Sequence, residues 1–357
     1  MTIPKTMKAA VLFGANDLRV VERDVPVPEA REVLIKVKAC AICGTDPKIL
    51  AHGWPNMPPF EEYIPGHEFT GEVVALGDTV DEFKVGDRVA VETHKGCGTC
   101  ENCLKGAYTN CFNYGNKEKG HRHYGFTVNG GYAEYVVMHI NVVHHLPDNV
   151  SFDEGTLATT GGTVLYGFGT IGDLKGGETV VISGPGAIGL MAVEYAKMRG
   201  ASKVILTGTR ESRLKIGREL GADVTINVRE EKDVAKKIME ETELGRGADV
   251  FIECSGSKDA IAISIDVMKK CGRILFLGFS PDLASMDMKK FTLMNLSAYG
   301  TRGEGAQATG LAVKLIGQGK LTAKSLVTHS FSLDEVNKAF DTFVNRVGGA
   351  IKVLVKP

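Results

Sequence analysis

Apolar positions along the chain follow two rhythms, and the change comes near residue 155. Before it, short β-rich runs at 8–13, 33–38, 71–77 and 87–91 are separated by turn residues such as Val25-Pro26-Val27-Pro28. Many short strands punctuated by Gly and Pro predict a partly open, barrel-like, mostly antiparallel β domain. No period recurs, which argues against a repeat architecture. After residue 155, apolar strands alternate with helices. The runs 179–183, 203–207, 224–226, 249–252 and 273–277 read as buried strands, with helical patterns over 190–198 and 213–220 between them. That alternation predicts a doubly wound parallel sheet, so the fold class is α/β with a separate β-rich domain.

Bulk composition narrows the setting. The 357 residues suggest two domains, and a formal net charge of -1 gives no reason to expect nucleic acid or an anionic membrane as partner. No apolar run reaches the length of a membrane span, and the N-terminus lacks the apolar core of a secretory signal. A cytoplasmic location is expected, and the 8 Cys are then read as ligands or free thiols rather than disulfides.

Two groups of residues carry metal chemistry. Cys97, Cys100, Cys103 and Cys111 fall at C-x2-C-x2-C-x7-C in a Gly- and Asn-containing loop. Four thiolates at such spacing can enclose one tetrahedral zinc with no open position, a structural site; an iron–sulfur cluster is the competing occupant. The second group is Cys43 with His67, completed by Glu68 or a water, which predicts a catalytic metal. Cys40, Cys254 and Cys271 read as buried small apolar residues.

The second domain opens on a nucleotide signature. Gly184, Gly186 and Gly189 follow a strand and begin a helix, which is the context that makes G-x-G-x-x-G informative. Pyrophosphate would rest on that helix N-terminus, against Ala187 and Ile188. The next strand ends Thr207-Gly208-Thr209-Arg210, with Gly208 where NAD-binding chains carry an acid for the ribose. No carboxylate there repels a 2′-phosphate, and Arg210 offers it a charged fork, so NADP is expected over NAD.

Taken together, Cys43-Gly44-Thr45-Asp46, the Gly66-His67-Glu68 run with Gly71 and Gly77, Gly86-Asp87-Arg88-Val89, the four-Cys lobe and the Gly184–Gly189 turn resemble the zinc-dependent medium-chain alcohol and polyol dehydrogenases, of the sorbitol and threonine dehydrogenase kind. The resemblance covers essentially the whole chain. It implies a GroES-like catalytic domain over 1–155 and 300–357, with a Rossmann domain over 156–299 inserted. It implies hydride transfer between NAD(P) and an alcohol, polyol or sugar, or the corresponding carbonyl. One catalytic and one structural zinc, and a homodimer or homotetramer, are implied as well. Thr45 would relay the alcohol proton, Asp46 would orient a ligand, and Arg302 would contact substrate or cofactor.

Two departures from the family pattern stand out. The slot for a third strong ligand falls at Thr159 or Thr160, so Glu68 must close the site, or Glu154 reach in, or zinc bind weakly. The relay His of many members is replaced by Lys48, with His52 as a substitute. A non-catalytic NADP-binding sensor or storage protein and a metal-independent enone reductase are the other readings. Trp54 and Tyr114 are candidates for a substrate cleft, whereas His121 and His123 read as solvated.

Overall fold

In the computed structural model the described residues are 2–280 and 282–357, and they divide into two compact units. The first comprises Met1–Gly162, Gly303–Gly319 and Ala323–Pro357; the second comprises Thr163–Arg302 with Lys320–Thr322.

In the first unit, β1 (Thr6–Gly14) and β2 (Asp17–Asp24) form an antiparallel ribbon. The main sheet uses β3 (Glu32–Ala41), β4 (Glu68–Leu76), β5 (Arg88–Val91), β8 (Tyr135–His139), β9 (Val143–His145), β16 (Val327–Ser332) and β17 (Lys352–Lys356). Its order is β16-β17-β3-β4-β5-β9, with β8 also paired to β3. β16 and β17 run parallel, while the pairs from β17 through β9 are antiparallel. The sheet does not close into a barrel. A short pair, β6 (His94–Lys95) and β7 (Arg122–His123), lies beside the four-Cys lobe in sequence. β3 is central and seven of its ten residues are buried, among them Val33, Ile35 and Val37 in the core with Tyr63, Phe69 and Tyr132. The C-terminal β17 joins this core through Val353 and Val355, and its register against β3 brings the chain's last residues next to the Cys43 loop.

The second unit is a six-stranded parallel sheet. It contains β10 (Thr179–Ser183), β11 (Lys203–Gly208), β12 (Val224–Asn227), β13 (Ala248–Glu253), β14 (Met268–Phe276) and β15 (Ser297–Gly300), in the order β12-β11-β10-β13-β14-β15. All five residues of β10 are buried, as a strand covered on both faces requires. The strand order reverses beside β10, which is where doubly wound sheets bind ligands at their carboxyl ends. Cys271 departs from expectation. The register jumps from Met268 to Arg273, residues 269–272 bulge out, and Cys271 is exposed with a φ of 63°. Cys40 is buried and Cys254 half-buried. Among the described residues no helix is long and apolar enough to cross a membrane.

Candidate metal centre and dinucleotide site

In the first unit, Cys43 sits between β3 and helix α1 (Asp46–His52), and His67 and Glu68 lie at the start of β4. Cys43, His67 and Glu68 each offer a donor atom, and these atoms lie within 4.8 Å of one another. Asp46, fully buried on the first turn of α1, fixes the geometry. Its Oδ2 accepts from the Cys43 amide at 2.8 Å and from the Tyr132 hydroxyl at 2.8 Å. Its Oδ1 lies 3.2 Å from His67 Nδ1. With Nδ1 turned toward a carboxylate, Nε2 is the nitrogen left for a metal, the arrangement of many metal-bound imidazoles. Burial opposes charging the His67 ring, yet Asp46 and Cys43 outweigh it and raise its pKa well above the usual value. Surroundings negative enough to retain a proton suit a cation, so this donor set fits zinc.

Glu68 has partners the sequence did not suggest. Its Oε2 is bound by the Lys352 ammonium from β17, both side chains being 5% exposed. Its Oε1 accepts from the Thr160 hydroxyl at 3.2 Å. At the slot expected for a third family ligand, the Thr159 hydroxyl donates to the Val91 carbonyl at 2.9 Å. Glu154 does not reach the cluster. It closes a capping box with Ser151 at the start of a short helix, Phe152–Gly155. Thr45 Oγ1 is 3.7 Å from Cys43 Sγ, while Lys48 is half-buried on α1 and His52 exposed at its end.

The donor atoms of Cys97, Cys100, Cys103 and Cys111 also lie within 4.8 Å of one another. Cys97 and Cys103 sulfurs are 3.9 Å apart, and Cys100 and Cys111 sulfurs 3.8 Å. Four sulfurs at ~2.3 Å from one tetrahedral ion would be ~3.8 Å apart. The lobe thus fits a single zinc, and it is too tight for a cluster in which each Cys holds its own iron. Amides of Thr99, Cys100 and Asn113 point at the sulfurs, at 3.3–3.5 Å, favouring the thiolates.

His121 and His123 are buried rather than solvated. His123 Nδ1 is 2.7 Å from the Tyr114 hydroxyl, and the Gly115 amide donates to His121 Nδ1 at 3.0 Å. Another buried group, Glu304, lies 3.3 Å from His94 Nδ1 and accepts from the Thr93 hydroxyl at 2.9 Å.

In the second unit, the glycine turn leads from β10 into a 12-residue helix, Ala187–Met198, with Gly186 at its N-cap. Gly184 has φ +100°, and a Cβ on Gly189 would lie 2.0 Å from the Gly184 carbonyl oxygen. By contrast, nothing lies within 4 Å of a Cβ built on Gly186, which leaves backbone that a diphosphate can approach. As at any helix start, the amides of Ala187, Ile188 and Gly189 have no acceptor within the helix. At the end of β11, Thr207 and Gly208 are buried, and Thr209 and Arg210 are half-buried, with Arg210 capping the next helix, Glu211–Glu219. A Cβ on Gly208 would meet Pro185 side-chain carbons at 2.5 Å, so the glycine turn itself denies that position an acidic side chain. These residues fit a nicotinamide dinucleotide. Sequence reasoning missed Glu253, a buried carboxylate at the end of β13 that accepts the amides of Ser255 at 2.8 Å and Gly256 at 3.0 Å. Arg302, expected at a substrate or cofactor contact, is exposed at the last position of the unit's main segment.

Comparison with known proteins agrees with both units. Residues 29–148 match the model of the alcohol dehydrogenase GroES-like domain, and residues 187–317 that of the zinc-binding dehydrogenase family. A sorbitol dehydrogenase of Halalkalibacterium halodurans is 35% identical across 98% of this chain and 99% of its own length. An L-threonine 3-dehydrogenase of Pyrococcus furiosus is 36% identical across 98% and 97%. Among solved structures, one described as a zinc-binding dehydrogenase of Sinorhizobium meliloti, bound to NADP, superposes with a TM-score of 0.90 at 30% identity, over 99% of this chain and 100% of that one. Matched in both halves and along 98% of its length, the chain belongs to the zinc-dependent medium-chain dehydrogenase family.

Proposed function

We propose that this protein is an NADP-preferring dehydrogenase of a secondary alcohol, polyol or sugar, acting in either direction between alcohol and carbonyl. The observation that carries the reading is the cluster of Cys43, His67 and Glu68 donors within 4.8 Å, braced by the buried Asp46. Three protein ligands with a fourth position open is the form of a catalytic zinc site. Zinc held by these three residues would supply Lewis-acid polarisation of the alcohol oxygen. A nicotinamide dinucleotide held at the glycine turn would supply the hydride donor or acceptor.

The chain's own residues do the rest. Asp46 holds the Cys43 backbone and the His67 ring in one orientation through the contacts described. Thr160 and Lys352 aim the Glu68 carboxylate and shield its charge. Thr45, whose hydroxyl lies 3.7 Å from Cys43 Sγ, would relay the proton leaving the substrate oxygen, accepting it while giving up its own. Lys48, two residues past Asp46 on α1, is the candidate for passing that proton outward. Arg210 reads the 2′-phosphate, and the Pro185 contact with Gly208 keeps a competing carboxylate away. Oxidation of a panel of secondary alcohols, polyols and sugars with each cofactor, followed by absorbance of the reduced nicotinamide, tests the reading. Turnover with a clear NADP preference is expected; the absence of turnover across the panel in zinc-loaded protein argues for a binding protein instead.

A further inference from the structure

The hydroxyl of Tyr114 links the four-Cys lobe to the rings beside the catalytic cluster. Asn113 is tied to the lobe's sulfurs, its amide donating to Cys111 at 3.3 Å and its side chain to Cys97 at 3.2 Å. The next residue is Tyr114. Its hydroxyl accepts from the Trp54 indole N–H at 2.8 Å and lies 2.7 Å from His123 Nδ1. Indole N–H can only donate, so the tyrosine proton is free to go to Nδ1. The two bonds fix both rings, and both rings close on Phe126.

His123 stacks on Phe126 with centroids 3.7 Å apart and an 11° interplanar angle, and Trp54 meets Phe126 edge-on at 5.0 Å. Phe126 in turn lies 4.6 Å from the ring of His67. On its far side, His123 stacks on His94 at 3.7 Å, and His94 is anchored to buried Glu304. A run of rings in contact thus connects the lobe to a candidate metal ligand, with little room for one member to shift alone. Trp54 also lines a cleft of about 530 Å³ formed by residues between His52 and Phe60.

We propose that Tyr114 is a positioning residue through which the four-Cys lobe sets the orientation of Trp54, Phe126 and His67. The lobe metal then bears on the reaction as well as on folding. This inference rests on the dehydrogenase reading for its kinetic part, but not for its spectroscopic part.

Trp54 is the only tryptophan in the chain, so its fluorescence reports the junction without labelling. Tyr114→Phe removes the hydroxyl and leaves all four thiolates. It should fold with wild-type zinc content, shift the Trp54 emission, and lower kcat/KM for the alcohol by about two- to tenfold, the worth of a lost neutral hydrogen bond. The dinucleotide KM should not change. Wild-type emission or wild-type alcohol kinetics in this variant overturns the proposal. A second arm needs no turnover: Cys100→Ser, or stepwise release of lobe zinc from the wild-type holoprotein by a thiol-reactive mercurial if that variant does not fold. Trp54 emission should move to longer wavelength in step with loss of the lobe metal. Emission that stays constant as that metal leaves overturns the proposal, whereas inactivity toward every alcohol tells only against the dehydrogenase reading.

Discussion

Replacing Lys352 by Met separates the two cations that compete for Glu68. Lys352 is buried against the Glu68 carboxylate, with both side chains 5% exposed. Burial opposes the charged amine, but Glu68, followed by Cys43, outweighs it and raises the Lys352 pKa. Without metal, that ammonium is the carboxylate's countercharge. Methionine keeps the length and removes the charge, leaving Glu68 buried and uncompensated. Breaking a buried pair in this way costs about 3–5 kcal/mol. Each kcal/mol moves the melting midpoint of a domain this size by about 2–4 °C, so metal-stripped Lys352→Met should melt ~6–20 °C lower. Zinc bound by Glu68 replaces the missing countercharge, and the loss should shrink when the metal is present. Linkage then requires the variant to hold catalytic zinc more tightly, by the difference between the two losses. Calorimetry of stripped and loaded protein, with zinc competition against a chelator, measures both sides. Equal losses in the two states with unchanged zinc affinity would refute the idea that Glu68 is shared between lysine and metal.

Other outcomes follow from single contacts. Arg210→Ala should raise the KM for NADP by the equivalent of about 1.5–3 kcal/mol and leave NAD use nearly unchanged; equal losses with both cofactors would mean that Arg210 does not read the phosphate. Gly208→Asp should fail to create an NAD enzyme, because its Cβ would sit 2.5 Å from Pro185 carbons, and isothermal titration should show weaker binding of both dinucleotides. Glu304 provides a pH signature. Burial pushes its pKa up, but the hydrogen bond and charge of His94, with Thr93, outweigh this and leave it lowered. Its contribution to stability is therefore fully present above the unfolded value of about 4.3 and is lost as pH falls through the lower folded value. Glu304→Gln should flatten that acid limb in melts taken between about pH 6 and 3; an unchanged limb would contradict the assignment.

Legibility in the sequence tracked distance along the chain. The β10 strand was readable because a strand buried on both faces is a continuous apolar run. The glycine turn, the four-Cys spacing and the Cys43/His67 pair were readable because each motif is local. The partners that decide how those motifs work were not. Lys352 and Glu68 are separated by 284 positions, and Thr160 and Glu68 by 92. Nothing near Lys352 except its place beside an apolar strand hinted at burial. His121 and His123 sit among Lys and Arg in a loop, a pattern that reads as solvated, yet Tyr114, Phe126 and His94 enclose them. Cys271 reads as a buried small apolar residue, but the register jump in β14 turns it outward. Glu154 failed as a ligand for a local reason that was visible, since Ser151 stands three residues before it in capping-box spacing.

On the proposed reading, Cys43, His67 and Glu68 form a catalytic zinc site distinct from the lobe. Metal analysis of purified Glu68→Gln beside wild type, with turnover measured on the same samples, tests it most directly. About two zinc per chain are expected in wild type and about one in the variant, with activity abolished, because the lobe keeps its closed four-thiolate site while the catalytic site loses a ligand. Retention of about two zinc with near-normal turnover in Glu68→Gln would contradict it, and would leave Glu68 as a partner of Lys352 and Thr160 rather than a metal ligand.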